Sequence, residues 1–514
     1  MLRLFTVATI LAAFGLAGAT AQAQPKQGGS MVVTYKDDIS TFDPAIGYDW
    51  QNWSMIKSLF DGLMDYKPGT TELIPDLAES YTISPDGLTY NFKLRKDVVF
   101  HNGRGLTSAD IKYSIERSVN PETQSPGQGF FWQIAGYEAM VSGGAKELSG
   151  ITTPDDYTVI INLSQPDATF LHIVAINFAF AVPREEIDKY GLDFGRNPVG
   201  TGAYKMTEWL LGQRVVFERN VDYFRKGSPY LDKITFEVGQ DPSVSLLRLK
   251  RGEVDVLGDP IPSANFLQEK NDPANADLIV EGGLLHTGYI TLNTTEPPFD
   301  NKLVRQAINM AINKERVIKI VNGRASIANQ PLPPAMPAYD PNYTGYAYDP
   351  AKAKQLLAEA GYPNGFETEL YTMNTDPNPR IAQSFQQDLK AIGITAEIKS
   401  LAQATVIDAG GQGTAPMLWS GGMAWIADYP DPSNFYGPIL GCGGAVPGGW
   451  NWAKYCNEEI DALAAKADGM ASTDQVEARL ELWRQIYNKI MDDAPWVPVM
   501  NEVRFAMHSA RIGG

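Results

Sequence analysis

Ser84-Pro-Asp-Gly-Leu-Thr-Tyr90, Leu94-Arg-Lys-Asp-Val-Val-Phe-His-Asn-Gly103 and Leu106-Thr-Ser-Ala-Asp-Ile-Lys-Tyr-Ser114 follow one another closely and carry a turn, a strand and a helix start. Leu88, Tyr90, Phe92 and Leu94 alternate with polar residues, the period of a strand with one buried face. Thr107 to Asp110 has the form of a capping box, and Ile111 and Ile115 follow four apart on one helix face. Strand and helix signals at this spacing predict a mixed α/β (α+β) protein.

The same alternation continues outward. Met31 to Tyr35 is a β-rich run, Ala203 to Trp209 and Arg214 to Arg219 read as a hairpin, and Ile234 to Val238 and Thr287 to Asn293 read as strands. Val244 to Arg251 reads as a helix ending at Gly252, and Lys302 to Ile320 as a helix broken near Asn313. Asp349 and Pro350 form a cap and first position for a helix that Gly361 ends. Asn378 and Pro379 are expected to do the same for a helix with the apolar face Ile381, Phe385, Leu389 and Ile392.

The chain has 514 residues, 44% hydrophobic and 20% charged, so it is globular and long enough for several domains. Residues 1–23 have the form of a secretory signal peptide: Arg3, an apolar run from Leu4 to Ala19, and small residues at Ala21-Gln22-Ala23. No cysteine stands near that cleavage site, so the expectation is a periplasmic protein that is neither a lipoprotein nor membrane-embedded. A formal charge of −17 disfavours nucleic acid as a partner. The two cysteines, Cys442 and Cys456, flank a Gly-rich loop and are expected to form a disulfide in an exported protein. His101, His172, His286 and His508 show no metal-ligand spacing, and no cofactor is expected.

Further landmarks are Leu73-Ile-Pro-Asp-Leu-Ala-Glu-Ser-Tyr81, Pro198-Val-Gly-Thr-Gly-Ala-Tyr204, Tyr223-Phe-Arg-Lys-Gly227, Gly252-Glu-Val-Asp255 and the run from Asn301 to Ala311. In number and order they resemble family 5 of the extracellular solute-binding proteins of ABC importers, of the dipeptide- and oligopeptide-binding type. The resemblance implies a two-lobed periplasmic-binding-protein fold with an extra inserted domain and a two-crossover hinge. The first lobe would comprise 24–56, 183–283 and 494–514, the inserted region 57–182, and the second lobe 284–493. Chains of the family usually run somewhat past the point matching Arg511-Ile-Gly-Gly514, which predicts a first lobe short of its last strand or two. The implied role is that of a monomeric receptor that captures short peptides between the lobes and delivers them to permease subunits.

Trp425-Ile-Ala-Asp428-Tyr-Pro-Asp431-Pro-Ser-Asn434-Phe is the segment that bears on a ligand. In similar peptide-binding proteins a Trp precedes by three residues the Asp that pairs with the peptide's α-ammonium group, and Trp425 and Asp428 match. An Asp-rich turn before Pro430 and Pro432 is the bland alternative, and Asp431 is expected to be a turn residue. Arg380, in a first helical turn, is the candidate for a ligand carboxylate, with a solvated surface role as its alternative. Tyr48, Asp49 and Trp50 are candidates on the first lobe, and Trp419, Tyr429 and Phe435 for pocket walls, with core packing the alternative for each. The match favours peptides, against a nickel chelate, an opine or an oligosaccharide as the solute. A rival of another class is a secreted hydrolase using Asp428 and Asp431 as a carboxylate pair. No Gly-x-Ser-x-Gly, His-Glu-x-x-His or P-loop sequence accompanies it.

Overall fold

Strand Thr89–Leu94 buries Tyr90, Phe92 and Leu94, and helix Ser108–Val119 turns Ile111, Ile115 and Val119 into the same core. The helix starts where the sequence places it: the Asp110 carboxylate accepts from the Thr107 N–H and hydroxyl, closing the capping box. The computed structural model describes residues 26–421 and 425–513, so the leader expected over 1–23 lies outside the described residues. Of the Trp50 side chain nothing is described either.

Three larger sheets organise the described residues. Antiparallel strands Ala78–Ile83, Thr89–Leu94, Thr158–Asn162 and Ile151–Asp155 lie in that order and form the small sheet. The middle sheet runs Val256–Leu257, Ser30–Thr34, Lys233–Glu237, Arg214–Arg219, Tyr204–Leu210, with the first two neighbour pairs parallel. The large sheet runs Ile279–Gly283, Trp496–Met507, His286–Leu292, Met417–Trp419, Glu367–Met373, Thr395–Leu401. Short strands Ala325–Ile327 and Trp425–Ile426 pair with Trp496–Met507 and His286–Leu292.

The chain passes between the middle-sheet and large-sheet units twice, at Ile279–Gly283 and at the end of Trp496–Met507, and the two crossings pair antiparallel from Ile279↔Met507 to Gly283↔Val503. The segment 494–514, expected to return to the first lobe, is shared between the two units. Tyr289, Ile290 and Thr291 pair with Pro498, Val497 and Trp496, so the strand begins deep in the large sheet. Only its end reaches the middle-sheet unit, where the Asp255 carboxylate accepts from Arg511 and Ser509. The strand's apolar content explains this, since Trp496, Val497 and Val499 are wholly buried in large-sheet cores.

Helices Lys302–Ala311 and Lys314–Ile320 are separated at Asn313, whose side chain accepts from Arg316 N–H, and Asp349 caps Pro350–Glu359. Helix Asn378–Ala391 starts one residue before its expected first position, so Asn378 is not its cap. Asn378 is instead buried and spans two neighbours, donating to the Thr375 carbonyl and accepting from Trp419 Nε1. Among the described residues no helix is long and apolar enough to cross a membrane.

Cys442 and Cys456 form a disulfide that closes a loop of sequence separation 14. Replacing both by Ser should lower stability by about 3 kcal/mol, chiefly through the unfolded chain, as read from urea unfolding midpoints. An unchanged midpoint would show that the loop is held by its packing alone.

Candidate functional site

Asn434 organises the loop after strand Trp425–Ile426. Its side-chain oxygen accepts from Trp425 Nε1 (3.2 Å) and from the Asp428 N–H (2.9 Å), and its Nδ2 donates to Asp428 Oδ2 (3.0 Å). One amide therefore fixes the indole and the carboxylate in a single relation. Asp428 Oδ1 accepts from the Tyr48 hydroxyl at 2.7 Å, a contact between residues 380 apart in the chain.

No described Lys, Arg or His forms an ion pair with Asp428, and burial pushes its carboxyl above the usual range while the two hydrogen bonds pull it back. The Tyr48 hydroxyl is raised by burial and by the charge of Asp428, so it stays protonated and donates. Yet Tyr48 as a residue is 46% exposed, and Trp450, packed edge-on to Trp425 at 6.3 Å, is likewise 46% exposed. The carboxylate thus sits at an accessible seam bordered by aromatic rings.

Tyr429 crosses the same seam. Its ring stacks on His172 (5.8 Å) and meets Phe130 edge-on (6.5 Å), joining the core of the small-sheet unit. His172 in turn lies 2.9 Å from the Tyr66 hydroxyl.

Asp431, expected as a turn residue, does cap the turn Pro432–Phe435, accepting from the Ser433 N–H. It is also buried and takes both arms of Arg479, at 2.7 and 2.8 Å. Burial favours the neutral acid, but the guanidinium prevails and holds Asp431 below the usual range. A carboxylate clamped in this way offers no second group for the hydrolase pairing.

The remaining candidates lie elsewhere. Arg380 pairs in a bidentate manner with Asp376, four residues earlier, and its side chain is 54% exposed. Trp419 is wholly buried against Phe385 and bonded to Asn378, and Phe435 is wholly buried, the core-packing alternative given for each. Asp49 caps helix Trp50–Leu59 through the Asn52 N–H. Arg479 and Phe130 carry no signal in the sequence, Asn434 falls within the Asp-Pro turn segment without an assigned role, and His172 is noted there only for lacking metal-ligand spacing. Among the described residues no cluster of three or more His, Cys, Asp or Glu could hold a metal ion.

Comparison with known proteins gives consistent results. The model of bacterial extracellular solute-binding proteins, family 5 middle, matches residues 72–446. Heme-binding protein A of Haemophilus influenzae is 32% identical, covering 96% of this chain and 91% of that protein. Glutathione-binding protein GsiB of Salmonella choleraesuis is 31% identical, covering 98% and 95%. The periplasmic binding protein DppA of Helicobacter pylori, solved in complex with the peptide STSA, is 30% identical with a TM-score of 0.77, covering 96% of each chain.

Arg479→Met should leave Asp431 as an uncompensated buried charge and cost about 3–5 kcal/mol near neutral pH. Because the pair depresses Asp431, its stabilisation is present above the unfolded carboxylate range and fades as pH falls through it. The gap between variant and wild type in urea unfolding should therefore narrow as pH falls below about 4, where Asp431 itself becomes protonated.

Proposed function

The chain belongs to family 5 of the bacterial extracellular solute-binding proteins, and from that premise we propose that it captures short peptides by their free amino end at Asp428. The observation that carries this reading is an under-neutralised carboxylate at an accessible seam, held by Tyr48 and Asn434 and by no described cation. A buried carboxylate gains most from a partner that is both charged and hydrogen-bonding, and an α-ammonium group is both. The peptide bound by the H. pylori relative and the Met-Leu bound by the dipeptide-binding protein of Pseudoalteromonas agree with this class of ligand.

The mechanism is capture without chemistry. Tyr48 and Asp428 approach from the two sides of the seam, so a ligand bridging them favours the form in which the sides meet. The crossings Ile279–Gly283 and Trp496–Met507 serve as the hinge. On this reading the lobes are 24–56 with 183–283, the inserted region 57–182, and the unit from 284 onward, which keeps most of the last strand. The protein works as an exported periplasmic monomer and delivers its ligand to the permease subunits of an ABC importer.

Asp428→Asn keeps the shape of the side chain and removes the charge. It should weaken a free-amine dipeptide about 30-fold or more, with little effect on the N-acetylated form, by calorimetry. Equal affinity of both proteins for the free-amine peptide would remove the amine-anchor reading.

A further inference from the structure

The seam holds a second contact beside the amine anchor. Helix Glu458–Asp468 ends against the small-sheet unit, where the Asp468 carbonyl accepts from the Ala168 N–H at 2.8 Å. Nearby, a Cβ built on Gly87 would lie 3.2 Å from both the Ala471 and Pro166 Cβ atoms. Two carboxylates, Asp431 and Asp468, share the Arg479 guanidinium, and Asp167, next to Ala168 on the opposite side, lies close enough to act on Asp468 without a cation of its own. Arg479 gives both arms to Asp431 and reaches Asp468 at 3.2 Å. Asp468 otherwise has the Ser433 hydroxyl (2.9 Å), and Asp167 has the Gln133 amide with the Thr169 N–H and hydroxyl. His172, Tyr66, Tyr429, Tyr436 and Tyr487 complete the surround, and none of the tyrosines brings a positive charge.

We propose that this cluster is a proton-taking latch: the two sides close with uptake of a proton among Asp167 and Asp468, so closure strengthens as mildly alkaline solution becomes neutral. The latch regulates the amine-binding seam, and that link rests on the receptor reading, whereas the closing equilibrium itself does not.

The sign follows from what closure does to each group. With the sides together, burial first, then Asp431 and Asp167, pushes Asp468 up to about 7. Burial likewise raises Asp167. Separation rehydrates both and removes their mutual repulsion, which lowers both, while Asp431 and Arg479 stay beside Asp468 on its own side. The closed form binds more protons, so its share grows as pH falls through about 7. Asp431 stays ionised on Arg479 throughout.

His172 opposes this at lower pH. Burial, the main cause, holds it down to about 4, and Tyr429 stacks on it across the seam. Once uncovered it titrates near ~6.5, so the open form gains protons below that value and the closing trend levels off. Asp428, also raised by burial at the seam, adds in the direction of Asp468.

The test needs no ligand. Dyes on Glu79→Cys and Lys352→Cys, both exposed and away from the seam residues named above, report the closed-to-open ratio by single-molecule energy transfer. The ratio should rise about twofold from about pH 8.5 to about pH 6.5, the Asp468 gain of about fourfold being halved by His172, and flatten below. Asp468→Asn, a mimic of the protonated acid, should hold the higher ratio at both ends, and Asp167→Asn, on the opposite side, should shrink the rise independently. His172→Gln should extend the rise below ~6.5. A flat wild-type ratio, or an unchanged rise in both carboxylate variants, overturns the latch. Failure of free-amine peptides to bind, with the rise intact, overturns the receptor reading and leaves the latch standing.

Discussion

The ion pair between Asp431 and Arg479 is the constraint on which the site depends. It anchors the loop after strand Trp425–Ile426 to helix Val476–Asp493 from a position where neither charge can be left alone. Tyr487 reinforces it by donating to the Pro432 carbonyl at 2.7 Å. With the loop's far end fixed, Asn434 locks the near end by serving Trp425 and Asp428 together. Asp428 and Tyr429 then project as a unit toward the small-sheet side. The pair's value is therefore geometric more than energetic, because a buried ion pair by itself contributes little net stability.

That arrangement leaves the seam short of positive charge. Arg479 satisfies Asp431 fully and Asp468 in part, while Asp428 and Asp167 rely on neutral donors. Bringing the two sides together removes water from these carboxylates, which raises Asp167, Asp428 and Asp468 alike. A positive charge delivered at closure relieves this, whether as a ligand ammonium group at Asp428 or as a proton at the latch. Tyr429 couples the two locations, since it adjoins Asp428 in sequence and packs with His172 beside the carboxylate cluster.

Local elements were largely legible. Capping residues such as Thr107 and Asp349, and the alternation of Tyr90, Phe92 and Leu94, act over a few residues and need no tertiary partner to be recognised. Where a residue type allowed more than one role, a partner distant in the chain or in the fold selected among them. Asn378 has the residue type of a helix cap, yet Trp419 Nε1 claims its oxygen from 41 positions away. Trp419 looks like a candidate for stacking on a ligand until the large sheet encloses it. Arg380 sits in a first turn suited to anions, but Asp376 supplies the carboxylate. The strand Trp496–Met507 follows its apolar faces into the large sheet rather than the chain order of the lobes.

The elements, the family and the loop from Trp425 to Phe435 can be read along the chain, because periodicity, capping and motif order are properties of neighbouring residues. The same reading places Asp428 as a carboxylate of interest. Which of the acids go without a described cation emerges only on folding, because it depends on Arg479 choosing Asp431 across 48 positions and Tyr48 reaching Asp428 across 380. Charge neutralisation is settled by distance in space, and a chain records distance in space only once it has folded.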